Sequence, residues 1–83
     1  MTQYKALVYA TDVRYIGNFI DNDEVDLLSL GREQGDEELV ESHIISPKEV
    51  LRYEDMHEVV DMGRGVCTVY WCEVEKVESE DDD

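Results

Sequence analysis

The residues best suited to holding a metal ion are His43, His57, Cys67 and Cys72, with many carboxylates around them. Structural zinc sites take such ligands from closely spaced pairs, and the sequence contains neither C-x-x-C nor H-x-x-x-H. Cys67 and Cys72 also fall within one predicted strand, where an odd spacing places two side chains on opposite faces. We therefore expect no metal site, no disulfide between the two thiols and no cofactor.

An acidic segment, Asp21-Asn22-Asp23 followed by Asp26, has the composition of half a calcium-binding loop. The EF-hand pattern needs an oxygen ligand at its fifth position and glycine at its sixth, where this chain has Val25 and Asp26. The sequence therefore favours a solvated turn over a calcium site.

Catalysis requires a nucleophile beside its base, or two carboxylates in a pocket. The chain has four serines, two histidines and 22 acidic residues, so such pairs arise by chance. It contains no nucleophile elbow and no glycine-rich phosphate loop. A chain of 83 residues also has little room for a large pocket. We expect the protein not to be an enzyme.

The elements that position these residues are mostly strands. Apolar alternation predicts a central strand over 4–11 with a continuation over 13–16, and further strands over 25–30, 39–45, 57–62 and 66–77. In the third of these, one face carries Leu39, Glu41, His43 and Ile45, and the other carries Val40, Ser42 and Ile44. In the last, one face carries Val66, Thr68, Tyr70, Cys72 and Val74, and the other carries Cys67, Val69, Trp71, Glu73 and Glu75.

One helix is predicted over 47–55, because Ser46-Pro47-Lys48-Glu49 combines a capping-box pattern with proline at the first helical position. The segment 31–37 reads as a loop or hairpin tip, and Gly63-Arg64-Gly65 reads as a hairpin turn. The predicted fold class is α+β, mainly β: a small twisted antiparallel sheet or partly open barrel of about five strands with one short helix. Residues 1–77 form a single small acidic domain, and 78–83 form a disordered acidic tail.

The compartment expected from the sequence is the cytoplasm, which is the host cell cytoplasm if the protein is phage-encoded. Two free thiols suit a reducing environment, and no signal-peptide pattern is present. No apolar run approaches the roughly 20 residues that span a bilayer, and an acidic protein is repelled by anionic lipid.

Charge is the strongest functional signal, because 22 acidic and 7 basic residues give a net charge of −15. Residues 1–20 contain only one of these acids, Asp12. A nucleic-acid binder needs a basic stripe, so direct binding of DNA or RNA is excluded. The expected partner is a positively charged protein.

Nucleic-acid mimicry is the function that this charge favours. A compact chain of this length has a radius of gyration of roughly 12 Å and a diameter of about 30 Å. A duplex of that length carries roughly 18 charges, close to the net charge of the chain. In size and acidity the chain resembles small phage proteins that inhibit host restriction, CRISPR or transcription machinery. That resemblance implies an inhibitor that occupies the basic groove of a DNA- or RNA-binding protein.

The residues expected to contact such a partner are acidic clusters and one aromatic side chain. The clusters are Asp21, Asp23, Glu24 and Asp26; Glu33, Asp36, Glu37 and Glu38; Glu54, Asp55, Glu58 and Asp61; and Glu73 with Glu75. Glu73 and Glu75 share a strand face at roughly 6.6–6.8 Å, close to phosphate spacing. Trp71, with Tyr70 and Tyr53, is a candidate interface anchor, and burial in the core is its alternative.

Two other functions remain open at this stage. The chain fits an adaptor or regulatory module that binds through a sheet edge or an exposed aromatic residue. Self-association of such a module as a homodimer would hide apolar surface that 83 residues cannot cover alone. It also fits a chaperone for basic proteins, in which the tail at 78–83 acts.

Overall fold

The computed structural model describes residues 3–77 and contains one open antiparallel sheet with two α-helices. The strands are β1 (Gln3–Arg14), β2 (Glu38–Ile45), β3 (His57–Gly63) and β4 (Val66–Val77), in the order β2-β1-β4-β3. The helices are α1 (Glu24–Gln34) and α2 (Val50–Glu54), preceded by short 3-10 turns at Phe19–Asp21 and Pro47–Glu49. The mainly β antiparallel class is thus confirmed. The expectation of about five strands with one helix is wrong in detail, because the described residues form four strands and two α-helices.

The centre of the sheet is the pair of twelve-residue strands β1 and β4. Their register runs without a break from Gln3 opposite Val77 to Arg14 opposite Val66. The predicted central position of the first strand and the predicted span of the last are both confirmed. The predicted strand over 4–11 and its continuation over 13–16 are one unbroken strand as far as Arg14.

The helix α1 replaces the strand predicted over 25–30, and that prediction is wrong. Asp23 caps the helix, since its side chain accepts a hydrogen bond from the Val25 N–H at 2.9 Å. Gly35 ends it in the left-handed conformation, at φ 74°. Leu27 and Gly31, one turn apart, are the residues that α1 buries against the sheet. The glycine, read as a loop residue, therefore belongs to the helix interior.

The second helical segment begins where the sequence predicts. The Glu49 carboxylate reaches back and accepts hydrogen bonds from the Ser46 N–H at 3.1 Å and the Ser46 hydroxyl at 3.2 Å. The segment starts as a 3-10 turn and continues as α2 for five residues. The turn between β3 and β4 also lies at the predicted glycines, with Gly63, Arg64 and Gly65 all at positive φ.

A β-bulge at Val40 shifts the faces of β2. Glu41 lies opposite Val8 whereas Leu39 lies opposite Tyr9, so Val40 has no residue opposite it. Leu39 therefore shares a face with Ser42 and Ile44, and Glu38 lies on the face of Glu41 and His43. Simple alternation, which placed Leu39 with Glu41, is wrong before the bulge and right after it.

The two helices cover opposite faces of the sheet at opposite ends. Beneath α1 lies a core of Val13, Leu27, Cys67, Val69 and Trp71. On the other face, Val50 and Tyr53 of α2 pack against a core of Ala6, Ile45 and Cys72. Each helix covers one half of its face, so half of each face is left open.

The two cysteines are free thiols, and both are buried. Cys67 belongs to the core beneath α1 and Cys72 to the core beneath α2, so the strand separates them as predicted. Burial raises the pKa of both thiols.

Within residues 3–77, no helix is long and apolar enough to cross a membrane. The acidic tail predicted at 78–83 lies outside the described residues.

Candidate protein-binding surface

The open half of the sheet face that α2 covers forms a shallow depression. Its floor is built by alternate residues of the two central strands, Val8 and Ala10 on β1 with Thr68, Tyr70 and Cys72 on β4. Alternation along a strand brings these side chains to one face. The floor is therefore fixed by the long uninterrupted β1–β4 register.

Two concavities follow one another along this floor. One, of about 470 Å³, lies beside the end of α2 and crosses the sheet from Glu41 on β2 to Glu58 on β3. The other, of about 370 Å³, lies where β2 begins, over Ala10 and Thr68. Ala10 and Thr68 are each two residues from Val8 and Tyr70 of the first concavity, which is roughly 6.6–6.8 Å along a strand. The two concavities therefore adjoin.

Carboxylates border both concavities, and we call the whole surface the acidic trough. Its acidic residues are Asp12, Asp36, Glu38, Glu41, Asp55 and Glu58. No lysine or arginine of the described residues lines these two concavities, whereas Arg14 lines a third, of about 400 Å³, that shares Asp12 and Asp36 with the smaller of them. Val40, Met56, His57 and Trp71 also line the larger concavity. Six carboxylates around an apolar and hydroxyl floor make this surface strongly favourable for cationic side chains.

Two of the six carboxylates are held in place by threonine hydroxyls. Thr68 donates to Asp12 Oδ1 at 2.8 Å across the β1–β4 pair. Thr11 donates to Asp36 Oδ1 at 2.8 Å, and the Gln34 amide donates to the same oxygen at 3.3 Å. These hydrogen bonds fix the carboxylate positions before any partner arrives, which lowers the entropy lost on binding.

The described residues contain no group of three or more histidine, cysteine or carboxylate side chains arranged to hold a metal ion.

The structure brings four of the predicted acidic contact residues into the trough, namely Asp36, Glu38, Asp55 and Glu58, and the predicted Trp71 also lines the larger concavity, with 2% of its surface exposed. Two acidic residues of the trough were missed, Asp12 and Glu41. Their signal is present in the alternation, since Asp12 continues the face of Val8 and Ala10, and Glu41 lies on the α2 face of its strand. What was lacking is the strand order that brings these faces together.

Three acidic residues of the cluster at 21–26 have a structural role in α1, and the fourth, Asp21, lies in the preceding 3-10 turn. Asp23 is the helix cap, and Glu24 and Asp26 lie in the first turn, where carboxylates stabilise the helix dipole. Glu33 lies exposed near the other end of the same helix, and Glu37 is half-buried in the connection to β2.

Asp61 and the two strand glutamates lie on the face that α1 covers. Tyr15 donates its hydroxyl to Asp61 Oδ1 at 2.7 Å, and the Gly63 N–H donates to the same oxygen at 2.9 Å. These bonds lower the pKa of Asp61, and the bond to Asp61 raises the pKa of Tyr15. Glu73 lies opposite Leu7, and Glu75 lies opposite Lys5.

Trp71 is a core residue, with 2% of its surface exposed. Its indole N–H donates to Glu73 Oε2 at 3.0 Å, Tyr9 packs against it, and the Arg32 guanidinium lies 5.6 Å from the ring centroid. The expectation that Trp71 is an exposed anchor therefore does not fit its position. Its neighbour Tyr70, half-buried on the trough floor, is the aromatic side chain that a partner would meet.

Comparison with protein-family models, with curated proteins and with solved structures finds no match to this chain.

Proposed function

We propose that the protein is an acidic inhibitor that occupies a nucleic-acid-binding groove on a basic partner protein. The observation that carries the proposal is the acidic trough, where six carboxylates border two adjoining concavities whose described lining contains no lysine or arginine. Arg14 lies at the end of the trough, in the concavity that shares Asp12 and Asp36 with it. Cationic side chains that otherwise contact phosphates find acceptors there. Long-range attraction then speeds the encounter, and occupancy of the groove excludes the nucleic acid. Such an inhibitor suits the anti-restriction, anti-CRISPR or transcription-inhibitor roles of phage proteins.

The shape of the molecule supports a narrower proposal for the form of nucleic acid that the protein mimics. The molecule is 55 Å long, and residues 3–77 carry 17 acidic and 7 basic residues, a net charge of −10. A duplex of that length carries about 32 charges, and one strand carries about 16. The charge per unit length of the protein is thus about a third of that of a duplex. The earlier estimate, in which a compact chain about 30 Å across matched the charge of a duplex, is therefore wrong. The charge per unit length of the protein is closer to that of a single strand, so a groove that holds single-stranded DNA or RNA is the better fit.

The test is displacement of nucleic acid from the partner. The tagged protein isolates basic proteins from an extract at low salt, and each purified candidate is titrated with a fluorescent single-stranded oligonucleotide in the presence of the inhibitor. We expect release of the oligonucleotide, with an inhibitor affinity that weakens steeply as salt is added. A partner that keeps its oligonucleotide while the inhibitor is bound would contradict the proposal.

Charge reversal in the trough provides the matched variants. Glu41→Lys with Glu58→Lys reverses two exposed carboxylates on opposite sides of the larger concavity. Close charge pairs across protein interfaces contribute about 1.5–7 kcal/mol, so we expect at least about a tenfold loss of affinity. The control, Glu33→Lys with Glu75→Lys, changes the net charge equally at exposed positions outside the trough. Equal losses in both variants would assign the binding to net charge and not to the trough.

A second function, an adaptor that binds through a sheet edge, is favoured by one observation. The edge strand β2 exposes Leu39, Val40 and Ile44, each by about half of its surface (54%, 52% and 57%). An apolar edge strand is a template for a strand from another chain. Ile44→Lys would abolish such binding without touching the trough, which separates the two functions.

A further inference from the structure

Two isoleucines at one end of the molecule are almost completely exposed. Ile16 has 92% of its surface exposed and Ile20 has 87%, more than any other large apolar residue among those described. Both lie in the segment 15–22 that joins β1 to α1, which we call the 15–22 tip. Single exposed apolar residues are ordinary on protein surfaces, but these two lie only four positions apart in one short segment.

The 15–22 tip is held in a defined shape. The Asn22 side-chain amide donates to the Ile16 carbonyl at 3.1 Å and to the Asn18 carbonyl at 2.9 Å. Phe19 turns inward, where it packs edge-on against Tyr15 at 5.6 Å and joins the core beneath α1. The Tyr15 N–H donates to the Gly65 carbonyl at 2.9 Å, which ties the tip to the β3–β4 turn. The tip thus buries its aromatic residue and displays its two isoleucines on an ordered backbone.

The charges around the tip exclude two of the possible occupants. Four acidic residues follow the isoleucines directly, at positions 21, 23, 24 and 26, and residues 15–26 contain no lysine or arginine. Arg14 before the tip and Arg64 in the adjoining β3–β4 turn offset two of these charges, so the surroundings stay net negative. A second copy of the chain would bring the same negative charge to the contact, and an anionic membrane would also repel it. A protein surface whose apolar cleft is bordered by basic residues complements both the isoleucines and the carboxylates.

We propose that the 15–22 tip is a docking element that inserts Ile16 and Ile20 into an apolar cleft bordered by lysine or arginine on a partner protein. The order of the free tip favours this role, because little further conformational entropy is lost on binding. The proposal does not depend on the acidic trough, since the tip lies beyond the end of β1, with the helix α1 and the β3–β4 turn beside it. The cleft need not belong to the protein that the trough binds.

The test compares two double variants, each of which replaces two exposed apolar side chains by serine. Ile16→Ser with Ile20→Ser removes the tip isoleucines, and Leu51→Ser with Met62→Ser removes two other exposed apolar side chains, with 79% and 62% exposure. All four residues are exposed, so we expect both variants to unfold at the temperature of the unmodified protein. Proteins bound from an extract are quantified for each form and identified, and the differentially bound one is purified. We expect its Kd to rise at least about a hundredfold with the tip variant and less than about threefold with the control.

A photo-crosslinker in place of Ile16 then locates the cleft. The crosslinked segment of the purified partner is expected to combine apolar residues with lysine or arginine. If no bound protein distinguishes the tip variant from the control, or if the crosslink falls on an acidic surface, the proposal is overturned. Flotation with vesicles of phosphatidylcholine and phosphatidylglycerol is the remaining measurement, because flotation that needs Ile16 and Ile20 would assign the tip to a membrane instead. The Glu41→Lys, Glu58→Lys variant, measured alongside, shows whether a failure concerns the tip or the trough.

Discussion

At the scale of single residues, carboxylates of similar appearance in the sequence perform different tasks. Asp23 caps a helix, Asp61 accepts the Tyr15 hydroxyl, and Asp12 faces the trough from a central strand. Only the last of these is placed to meet a partner in the trough. A count of acidic residues therefore overstates the charge available to the proposed site.

The Tyr15–Asp61 hydrogen bond predicts a raised pKa for Tyr15 that substitution of Asp61 should reverse. Ionisation of Tyr15 loses the bond and places a phenolate beside a carboxylate, so its pKa is raised. In Asp61→Asn we expect the pKa of Tyr15 to fall toward its ordinary value of about 10. The measurement is an NMR titration of tyrosine ring carbons. In Glu58→Gln, which changes the other face of β3, the Tyr15 pKa should stay raised, and a fall there would contradict the assignment.

The same hydrogen bond makes the free energy of unfolding depend on pH, and the two pKa shifts give the sign of that dependence. Because the folded pKa of Asp61 is lowered, its contribution is present above the unfolded pKa and is lost as the pH falls through the folded value. Because the folded pKa of Tyr15 is raised, its contribution is present below the unfolded pKa and is lost as the pH rises through the folded value.

At the scale of elements, the approach of α1 to the sheet depends on a glycine. A Cβ built on Gly31 would clash with Val69 Cγ2 and lie 3.0 Å from Thr11 Cγ2 and 3.3 Å from Val13 Cγ2. The absence of a side chain lets the helix backbone approach the centre of the sheet. This close packing explains why a residue with poor helix propensity lies in the helix interior.

Gly31→Ala therefore tests the position of α1. Alanine is better than glycine in a helix by about 1 kcal/mol, but overpacking a core costs about 1–3 kcal/mol. We expect the free energy of unfolding, measured by urea denaturation, to fall by about 1 kcal/mol. Ser29→Ala, at an exposed position of the same helix, should raise it by a few tenths of a kcal/mol. A stability gain of about 1 kcal/mol in Gly31→Ala would mean that α1 lies farther from the sheet.

At the scale of the whole molecule, residues 3–77 carry a net charge of −10 on a narrow body of 55 × 22 × 17 Å. Like charges are closer together in the folded state than in the unfolded chain, so their repulsion destabilises the fold. The elongated shape reduces this repulsion, because it spreads the charges farther apart than a sphere would. The same shape lowers the charge density below that of a duplex.

Salt should therefore stabilise the isolated protein. Raising the ionic strength from about 0.01 M to about 0.1 M shortens the Debye length from roughly 30 Å to roughly 10 Å, which is less than the width of the molecule. We expect Tm, measured by circular dichroism at neutral pH, to rise, by about 4–8 °C for each 1 kcal/mol gained. The variant Glu33→Gln with Glu75→Gln should show a smaller rise. A Tm that is independent of salt would show that the repulsion is already relieved.

Local signals in the sequence determine much of this fold. Alternation predicts all four strands, and apolar residues on both faces of β1 predict its central position. The Ser46–Glu49 pattern predicts the start of the second helical segment. The strand predicted over 25–30 is wrong, because a segment of only six residues, most of them apolar, fits both the helical and the strand periodicity. The Asp23 cap and the spacing from Leu27 to Gly31 were the signals that favour the helix.

The trough, by contrast, was decided by tertiary structure. The sequence by itself determines an acidic protein with a mainly β fold, since charge and alternation are properties of composition and order. It does not determine that Asp12, Glu41 and Glu58 border one surface, because they come from three strands whose order and bulge are fixed by non-local pairing. Burial of Trp71 is decided in the same way, by the α1 packing that covers one face of β4 while α2 leaves Tyr70 partly open on the other. Side chains that are distant in the chain become one site only after the sheet has assembled.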